Sequence, residues 1–258
     1  MRLADDDLSP DTRQHRGAHP ADKQLFSVER LPVLREAIAD LSWLLTRGYS
    51  LKSSLKLSGD RYNLQERQRL ALSRAACSDF QLEHRRESCI AIESLRGETV
   101  AIDGFNLLIT LEAALSGGLL IICRDQCIRD LSGVHGSYRS VVETAQAIGL
   151  VGGALEALGV KEARWFLDKP ISNSGRLGNQ IRQLAAQHLW RWEVDLAFNP
   201  DAEILASAQI AVSSDSLILD SATSWTELNS HIVRQHIPQS WIVDLRPQSD
   251  GRSSSGRD

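Results

Sequence analysis

Three aspartates each follow a short apolar segment of the kind that forms a buried β-strand. Asp103 follows VAI, Asp168 follows RWFL, and Asp215 follows IAV and two serines. A carboxylate at the end of a buried strand is costly unless a cation, a helix cap or a positive helix end compensates it. If these strands are parallel neighbours, we expect all three carboxylates at one carboxyl edge, where open α/β sheets hold their sites.

The chemistry that suits such an edge is metal-dependent phosphodiester hydrolysis. Carboxylate oxygens are the ligands that Mg²⁺ and Mn²⁺ prefer, and two such ions bridging a phosphate can activate water and stabilise the leaving oxygen. We therefore predict that Asp103, Asp168 and Asp215 are catalytic residues and metal ligands. Asp220, five residues beyond Asp215, is either an additional ligand or an exposed helix residue.

Each of the three aspartates also has a purely structural interpretation. Asp103 precedes a glycine and suits a turn. Asp168 precedes Lys169 and a proline, which suits a turn with a surface ion pair. Asp215 lies between two serines and suits the N-cap of a helix.

Polar residues near these strand ends are candidates for phosphate binding. The segment SNSGR, which follows the strand-like run RWFL, offers hydroxyls, backbone N–H groups and an arginine at a helix start, although an ordinary capped turn explains it equally well. His135, in a polar loop, is a candidate proton donor or phosphate ligand, with ordinary packing as the alternative. The predicted phosphate-binding residues are Asn106, Ser172, Asn173, Ser174, Arg176 and Ser214.

The elements that must position these residues begin near Gly97. Strand-like runs there alternate with helical ones, which predicts parallel crossovers and a Rossmann-like, mostly parallel α/β sheet with helices on both faces, over residues 97–246. The predicted strands are Thr99–Ile102, Leu119–Cys123, Ala163–Leu167, Trp192–Leu196, Gln209–Val212 and Trp241–Val243. The predicted helices are Leu107–Leu115, Ser140–Leu158, Arg176–Leu189 and Ser216–His236.

Residues 23–96 are predicted to form a small helical domain. Leucines and isoleucines from Leu31 to Leu45 recur every three or four residues, and a second helix is expected up to Ser73, with Asn63 as its cap and Glu66 completing a capping box. Basic residues recur here and suggest a nucleic-acid-binding face, with a solvated helix face as the alternative. These residues are Lys52, Lys56, Arg61, Arg67, Arg69 and Arg74.

Composition narrows the class of protein further. The chain has 258 residues, 42% of them hydrophobic, and a net charge of −4, so nucleic-acid binding requires a local basic face. We find no signal-peptide pattern and no apolar run long enough to cross a membrane, and we expect a cytoplasmic location. Residues 1–22 and 247–258 are expected to be a disordered arm and tail.

The four cysteines do not suggest a disulfide framework. Free and mostly buried thiols are the simplest interpretation. A zinc site formed by Cys123, Cys127 and His135 is the alternative, at a spacing unusual for zinc.

The chain also lacks a P-loop, a G-x-G-x-x-G fingerprint and a G-x-S-x-G elbow. Phe105 stands where a phosphoaspartate hydrolase would have its second aspartate.

Several segments also resemble known families. DGFNLLIT and SSDSLILD are similar to the acidic strand ends of PIN-like nuclease domains, including the NYN type. The segments RGYSLKSSLKLSGDRYNLQERQRLAL, RDLSGVHGSYR and WFLDKPISNSGRL extend the resemblance to a prokaryotic family that joins a helical domain of unknown function (the 434 family) to such a C-terminal domain.

The resemblance to PIN-like domains implies a metal-dependent ribonuclease. It implies metal-binding roles for Asp103, Asp168 and Asp215, and one more acidic residue from a helix between the first two. Glu112 and Glu143 are both candidates for that residue.

We therefore expect an endoribonuclease that uses Mg²⁺ or Mn²⁺, with a helical domain that binds RNA. The first alternative is a non-catalytic RNA-binding or regulatory module that keeps the same fold. The second is a phosphotransfer enzyme for a small nucleotide. RNA is the expected partner, a membrane is not, and the sequence is compatible with an oligomer.

Overall fold

The computed structural model describes residues 15–132 and 138–248. Its N-terminal part is a group of helices around α2 (Leu31–Thr46), which buries Leu34, Ile38 and Leu41 along one stripe, as the leucine spacing predicts. Short 3₁₀ turns at Val28–Arg30 and Ile92–Leu95 flank this group. The helices are α1 (Asp22–Leu25), α2 (Leu31–Thr46), α3 (Leu51–Arg61), α4 (Glu66–Ala75) and α5 (Asp79–Ser88).

The rest of the described chain alternates strands with helices, as the sequence predicts. The strands are β1 (Thr99–Asp103), β2 (Leu119–Ile122), β3 (Ile128–Asp130), β4 (Glu162–Asp168), β5 (Trp192–Ala197), β6 (Ile210–Val212), β7 (Trp225–Thr226) and β8 (Trp241–Asp244). The helices are α6 (Gly104–Leu115), α7 (Thr144–Ala157), α8 (Ser174–His188), α9 (Pro200–Ala206), α10 (Ser216–Leu219) and α11 (Leu228–His236).

The main sheet has five parallel strands in the order β5-β4-β1-β6-β7. Side chains on β1 alternate between its two faces, as the pleat requires. Val100 and Ile102 join the core that contains α6, whereas Ala101 joins a separate core with α9 and α10. Both faces of the sheet are therefore covered, in agreement with the predicted architecture.

A second sheet of three strands, β3-β2-β8, differs from the expectation of one sheet. Strand β2 pairs in parallel with β8 and in antiparallel fashion with β3, a strand that sequence analysis missed. Helix α6 packs against strands of both sheets, which explains why nearly all of its residues are buried.

The second sheet shares its hydrophobic core with the N-terminal helices. Leu119 and Ile121 of β2 and Val243 of β8 pack in the same cluster as the buried stripe of α2. The guanidinium of Arg35 on α2 also donates two hydrogen bonds, of 3.0 and 2.8 Å, to the carbonyl of Asp244. Helices near one end of the chain are thus joined to its last strand.

Two local predictions were wrong. The predicted helix 216–236 is α10, β7 and α11, because the buried Trp225–Thr226 pairs with β6 between two short apolar helices. Asn63 does not cap α4 but adopts a left-handed conformation with φ of 49° after α3. The helix starts at Glu66, and the side chain of Gln68 accepts a hydrogen bond from the backbone N–H of Gln65.

His15 and Arg16 contact the α/β region although they fall in the predicted disordered arm. Arg16 forms an ion pair with the fully buried Glu112, which also accepts hydrogen bonds from the hydroxyls of Tyr138 and Thr144. The Arg16 guanidinium lies 5.1 Å from the centroid of the Tyr138 ring. A buried carboxylate needs such a cation, which explains why Arg16 lies against Glu112.

Residues 1–14 of the predicted arm and 249–258 of the predicted tail lie outside the described residues. Within the described residues, none of the helices is both long enough and apolar enough to span a membrane.

Candidate active site at the carboxyl edge

Asp103 lies at the carboxyl end of the central strand of the main sheet. Its side chain is almost fully buried. One carboxylate oxygen accepts a 2.8 Å hydrogen bond from the hydroxyl of Ser213, and the other accepts a 3.4 Å bond from the backbone N–H of Asn106. Asp103 is therefore both the last residue of β1 and the N-cap of α6.

Asp215 is joined to Asp103 through Ser213. The Ser213 hydroxyl that donates to Asp103 also accepts a 2.9 Å bond from the backbone N–H of Asp215. Asp215 caps α10 by accepting a 2.8 Å bond from the N–H of Leu217, so its structural interpretation is correct. A capping carboxylate keeps oxygen lone pairs for another ligand, so this role does not exclude binding.

Asn106 and Ser214 hold the loop that carries Asp215 against the helix that Asp103 caps. The amide oxygen of Asn106 accepts bonds from both the backbone N–H and the hydroxyl of Ser214, at 3.0 and 2.9 Å. These two predicted phosphate-binding residues thus contact each other and hold the loop after β6 against the start of α6.

The sheet register puts Asp168 and Asp215 on either side of Asp103. Asp103 is paired with Phe166 on β4, so Asp168 lies two residues further along. Ile102 is paired with Val212, the last residue of β6, and Asp215 lies in the loop three residues further along. Two residues of extended strand span roughly 6–7 Å. The three predicted aspartates share one edge, and Asp168 lies beyond the level of Asp103.

A fourth carboxylate, Asp201, was not predicted. It lies in the first turn of α9, after the cap Asn199 and Pro200, and α9 packs across β1 and β4. Burial raises the pKa of Asp201, and the charges of Asp215 and Asp168 raise it further. The motif NPD does predict a helix start, but only the packing of α9 brings its first turn to this edge.

Asp103, Asp168, Asp201 and Asp215, called here the carboxyl-edge cluster, influence one another electrostatically. Burial raises the pKa of Asp103 to about 7, against the Ser213 hydrogen bond, and Asp215 and Asp201 raise it further. Burial also raises the pKa of Asp168. In residues 15–132 and 138–248, none of the four forms an ion pair with lysine, arginine or histidine. The cluster therefore has excess negative charge.

A pocket of about 250 Å³ adjoins this cluster. Asn106, Ser214 and Asp215 line one side of it, and Ser73 and Arg74 of α4 line another. Residues from both the helical part and the α/β part therefore surround one cavity beside Asp215.

The carboxyl-edge cluster has the oxygen ligands that Mg²⁺ or Mn²⁺ prefer, but these ligands are too far apart to coordinate one ion together. Across the part of the chain that the structure describes, no three His, Cys, Asp or Glu side chains are grouped closely enough to hold a metal ion. Hard, unneutralised oxygens nevertheless fit a divalent cation.

The predicted ligand Asp220 lies elsewhere, in a second group of charged residues. Its carboxylate accepts hydrogen bonds from Gln81 at 2.6 Å and Arg85 at 2.7 Å. Arg85 and Arg129 both donate to Asp125, which is almost fully buried. We call Asp125, Asp220, Arg85 and Arg129 the arginine-paired cluster.

Glu112 and Glu143, the two candidates for a further acidic ligand, both have cationic or histidine partners. Glu112 is paired with Arg16, and Glu143 lies 2.7 Å from the ring of His15. Burial raises the pKa of Glu112, and the charge of Arg16 opposes that shift.

The predicted phosphate-binding segment after β4 is held by internal hydrogen bonds. Asn173 has φ of 70°, and its side chain donates a 2.7 Å bond to the carbonyl of Tyr138. The hydroxyl of Ser174 donates to the carbonyl of Asp168, and the carbonyl of Ser172 accepts a bond from the N–H of Tyr138. Arg176, two residues into α8, is exposed.

Three of the six predicted nucleic-acid-binding residues lie on α4, and intramolecular contacts hold their side chains. Arg67 pairs with the buried Asp22, and Arg74 donates to the backbone and side chain of Asp130. Arg69 donates to the carbonyl of Leu64, just before α4, and pairs with Asp60 on α3. These contacts fasten α4 to its surroundings.

The other three basic residues are on the surface. Lys52 and Lys56 are exposed on α3, and Lys56 pairs with Asp60 at 2.7 Å. Arg61 is 69% exposed and lies 3.4 Å from Asp40. These are the side chains that an RNA phosphate can reach without breaking a buried contact.

The predicted zinc site is not assembled in the described residues. Cys123 and Cys127 are buried free thiols, and burial raises the pKa of Cys123 to about 12. His135 lies outside the described residues. Of the four cysteines, only Cys89 is exposed, which agrees with the prediction of free and mostly buried thiols.

Together, the fold and site define a parallel α/β protein with an acidic carboxyl edge and an N-terminal helical region. Residues 92–231 match the model of a domain of unknown function, DUF5616, and residues 33–87 match a protein family of unknown function, DUF434. The first match covers more than half of the chain, so the chain belongs to the DUF5616 family. The DUF434 match confirms the family resemblance of the N-terminal helices.

The chain is also similar to a curated archaeal protein, Uncharacterized protein MJ0935 of Methanocaldococcus jannaschii. The two are 31% identical over 188 residues, which cover 73% of this chain and 89% of that protein. No solved structure matches the chain.

Proposed function

We propose that this protein is an endoribonuclease of PIN-like type, which hydrolyses RNA phosphodiester bonds with Mg²⁺ or Mn²⁺ at the carboxyl-edge cluster. One observation carries the proposal: Asp103, Asp168, Asp201 and Asp215 lie along the carboxyl edge of a parallel sheet without a neutralising basic side chain in the described residues. Burial and the charges of Asp215 and Asp201 raise the pKa of Asp103, so an ionised Asp103 is costly here, and functional sites are where such costs concentrate.

Within the proposed mechanism, Asp103 is the central ligand. The Ser213 hydroxyl holds one of its oxygens, and the position of Asp103 on β1 keeps its backbone fixed. Asp215 and Asp201 are the nearest additional ligands, since their charges are the ones that act on Asp103. When bound, a divalent cation supplies an activated water and stabilises the leaving oxygen.

The adjoining pocket provides groups for the RNA strand. Arg74, Ser73 and Ser214 line it and can contact phosphate or ribose oxygens beside Asp215. The exposed Lys52 and Arg61 extend this basic character along the helical region. In this proposal, the DUF434 segment binds the strand and the α/β region cleaves it.

Cleavage of a mixed single-stranded RNA pool tests the proposal. We expect the wild-type protein to cleave with Mn²⁺ or Mg²⁺ and not with EDTA, and Asp103→Asn to lose at least about 100-fold in rate because the ligand charge is gone. Asp195→Asn is the matched control, since Asp195 lies on β5 of the same sheet but pairs with Arg164 at 2.6 Å. Equal loss in both variants, or activity in EDTA, would contradict this mechanism.

A second function, a non-catalytic RNA-binding module, is favoured by one observation. No three candidate ligands in the described residues are close enough to hold an ion. In that case the wild-type protein binds RNA but leaves the pool intact under all metal conditions, and Asp103→Asn leaves RNA binding unchanged.

A further inference from the structure

Phe198 is an exposed aromatic residue at the rim of the carboxyl-edge cluster. It directly follows β5, whose last residue, Ala197, is paired in register with Asp168. The backbone N–H of Lys169 donates a 2.7 Å bond to the carbonyl of Ala197. Phe198 and Lys169 therefore lie side by side. Each directly follows one member of the Ala197–Asp168 pair.

The Phe198 side chain has no packing role that explains its position. It is 75% exposed and belongs to none of the three hydrophobic cores of the described residues. Its described ring contact is with the ammonium of Lys169, 4.6 Å from the ring centroid. An exposed phenyl ring beside a cation offers one apolar surface and one positive charge.

We propose that Phe198 and Lys169 bind one nucleotide of the RNA strand next to the cleavage site. In this proposal, which rests on the proposed function, the phenyl ring stacks on the base and the Lys169 ammonium contacts the adjacent phosphate. Stacking on an aromatic side chain tolerates every base, because each has a π-face. The pair therefore positions the strand without selecting its sequence.

The charge distribution around the rim favours a nucleotide as the occupant. The carboxyl-edge cluster repels a polyanion, so a strand that approaches it needs a cation close to the acidic residues. Lys169 is adjacent to Asp168 in the chain and has no carboxylate partner among the described residues. An apolar ring and an unpaired ammonium together match a base and its phosphate.

The chain provides a matched control for the exposed ring. Phe80 on α5 is 77% exposed, nearly the same as Phe198, but it lies in the helical region rather than at the carboxyl edge. Replacing either residue by alanine removes an exposed phenyl ring of the same size. Both variants are expected to fold, which circular dichroism checks.

Fluorescence anisotropy in EDTA, with the full-length chain, tests the proposal on two labelled probes. One is a single-stranded oligoribonucleotide, and the other is the same length with abasic sites throughout. We expect Phe198→Ala to bind the first probe about 10-fold more weakly and the abasic probe unchanged. Phe198→Trp, which keeps an aromatic ring, should bind the first probe as the wild-type protein does, and Phe80→Ala should have no effect. Lys169→Ala should lower the slope of log affinity against log salt by about one.

Several outcomes would overturn the proposal. They are unchanged RNA binding by Phe198→Ala, equal losses for Phe80→Ala, equal losses on the abasic probe, or no RNA binding by the wild-type protein. The cleavage assay separates this failure from failure of the proposed function. Cleavage by wild type with normal binding by Phe198→Ala rejects only the stacking pair, whereas base-dependent binding through Phe198 without any cleavage rejects only the nuclease.

Discussion

The carboxyl-edge cluster and the arginine-paired cluster each contain an aspartate of the same burial, but the pKa values of these two aspartates are shifted in opposite directions. Asp103 and Asp125 are each 8% exposed. Burial raises the pKa of Asp103 to about 7. Burial opposes the ionisation of Asp125 as well, but the charges and hydrogen bonds of Arg129 and Arg85 outweigh it and lower the pKa of Asp125. The partner rather than the depth decides the charge state.

The difference shows what each cluster is suited for. Asp125 receives bonds of 2.9 and 2.7 Å from Arg129 and a further bond from Arg85, so it joins α5 to the turn between β2 and β3. Asp103 receives only a serine hydroxyl and one backbone N–H among its described hydrogen bonds. The first arrangement satisfies its charge internally, and the second leaves charge available for a ligand from outside.

Removing an arginine from the paired cluster should have the largest effect on stability. Arg85→Met keeps much of the side-chain volume but leaves Asp125 and Asp220 short of a cation. We expect the free energy of unfolding to fall by roughly 3–5 kcal/mol, the usual cost of breaking a buried ion pair. Urea denaturation at pH 7 measures this change.

An exposed ion pair serves as the control for that variant. Lys56→Met removes the cation of the surface pair with Asp60 and should leave the unfolding midpoint unchanged. If Arg85→Met is as stable as the wild-type protein, the arginine-paired cluster is not what holds α5 in place.

Neutralising Asp103 should have the opposite sign and a pH dependence. Its folded pKa, about 7, lies above the unfolded value near 4, so the folded state binds more protons between these values and stability falls as pH rises through them. Asp103→Asn removes that loss. We expect the variant to be more stable than wild type by on the order of 2–4 kcal/mol at pH 8 and equal to it near pH 4.

Urea denaturation across this pH range tests the prediction as a difference between the two proteins. The difference is required because burial raises the pKa of Glu227 to about 7 as well, and Glu227 is present in both. Under the proposed function, Mn²⁺ should raise the melting temperature of wild type at pH 8 and have little effect on Asp103→Asn. A variant that is less stable than wild type at pH 8 would show that Asp103 has a cation partner in solution.

Asp201→Asn should give the smallest change. Burial, Asp215 and Asp168 raise the pKa of Asp201, so its removal relieves repulsion. Its charge also stabilises the first turn of α9, and that gain is lost in the variant. We expect an increase in unfolding free energy below about 1 kcal/mol at pH 8, together with a smaller Mn²⁺ shift. A gain equal to that of Asp103→Asn would mean that the two carboxylates contribute equally to the repulsion.

Sequence patterns were enough to predict much of the carboxyl edge. The apolar runs before Asp103, Asp168 and Asp215 are strands β1, β4 and β6 or their continuation, and these strands are neighbours in the sheet. Strand periodicity could not predict Asp201, because it lies in a helix. Its place at the edge depends on how α9 crosses β1 and β4, which is a matter of tertiary packing.

The division into two sheets also could not be predicted from the sequence. The strands β2 and β8 are short and apolar like those of the main sheet, so their pattern does not say which sheet they join. The hairpin partner β3 has only three residues and one strongly apolar side chain, Ile128. Likewise, Arg85 and Asp125 are separated by 40 positions, and no local signal connects them.

The core shared by the N-terminal helices and β8 constrains how the chain can fold during synthesis. The stripe of α2 is completed by Val243 and Leu245, about 200 residues later. Until the ribosome releases that segment, the apolar face of α2 cannot pack against Val243 and Leu245. Contacts of such large sequence separation also form slowly. The apolar face of α2 therefore stays incompletely buried until β8 has been synthesised. A C-terminal truncation before residue 241 should leave this face exposed and the protein prone to aggregation.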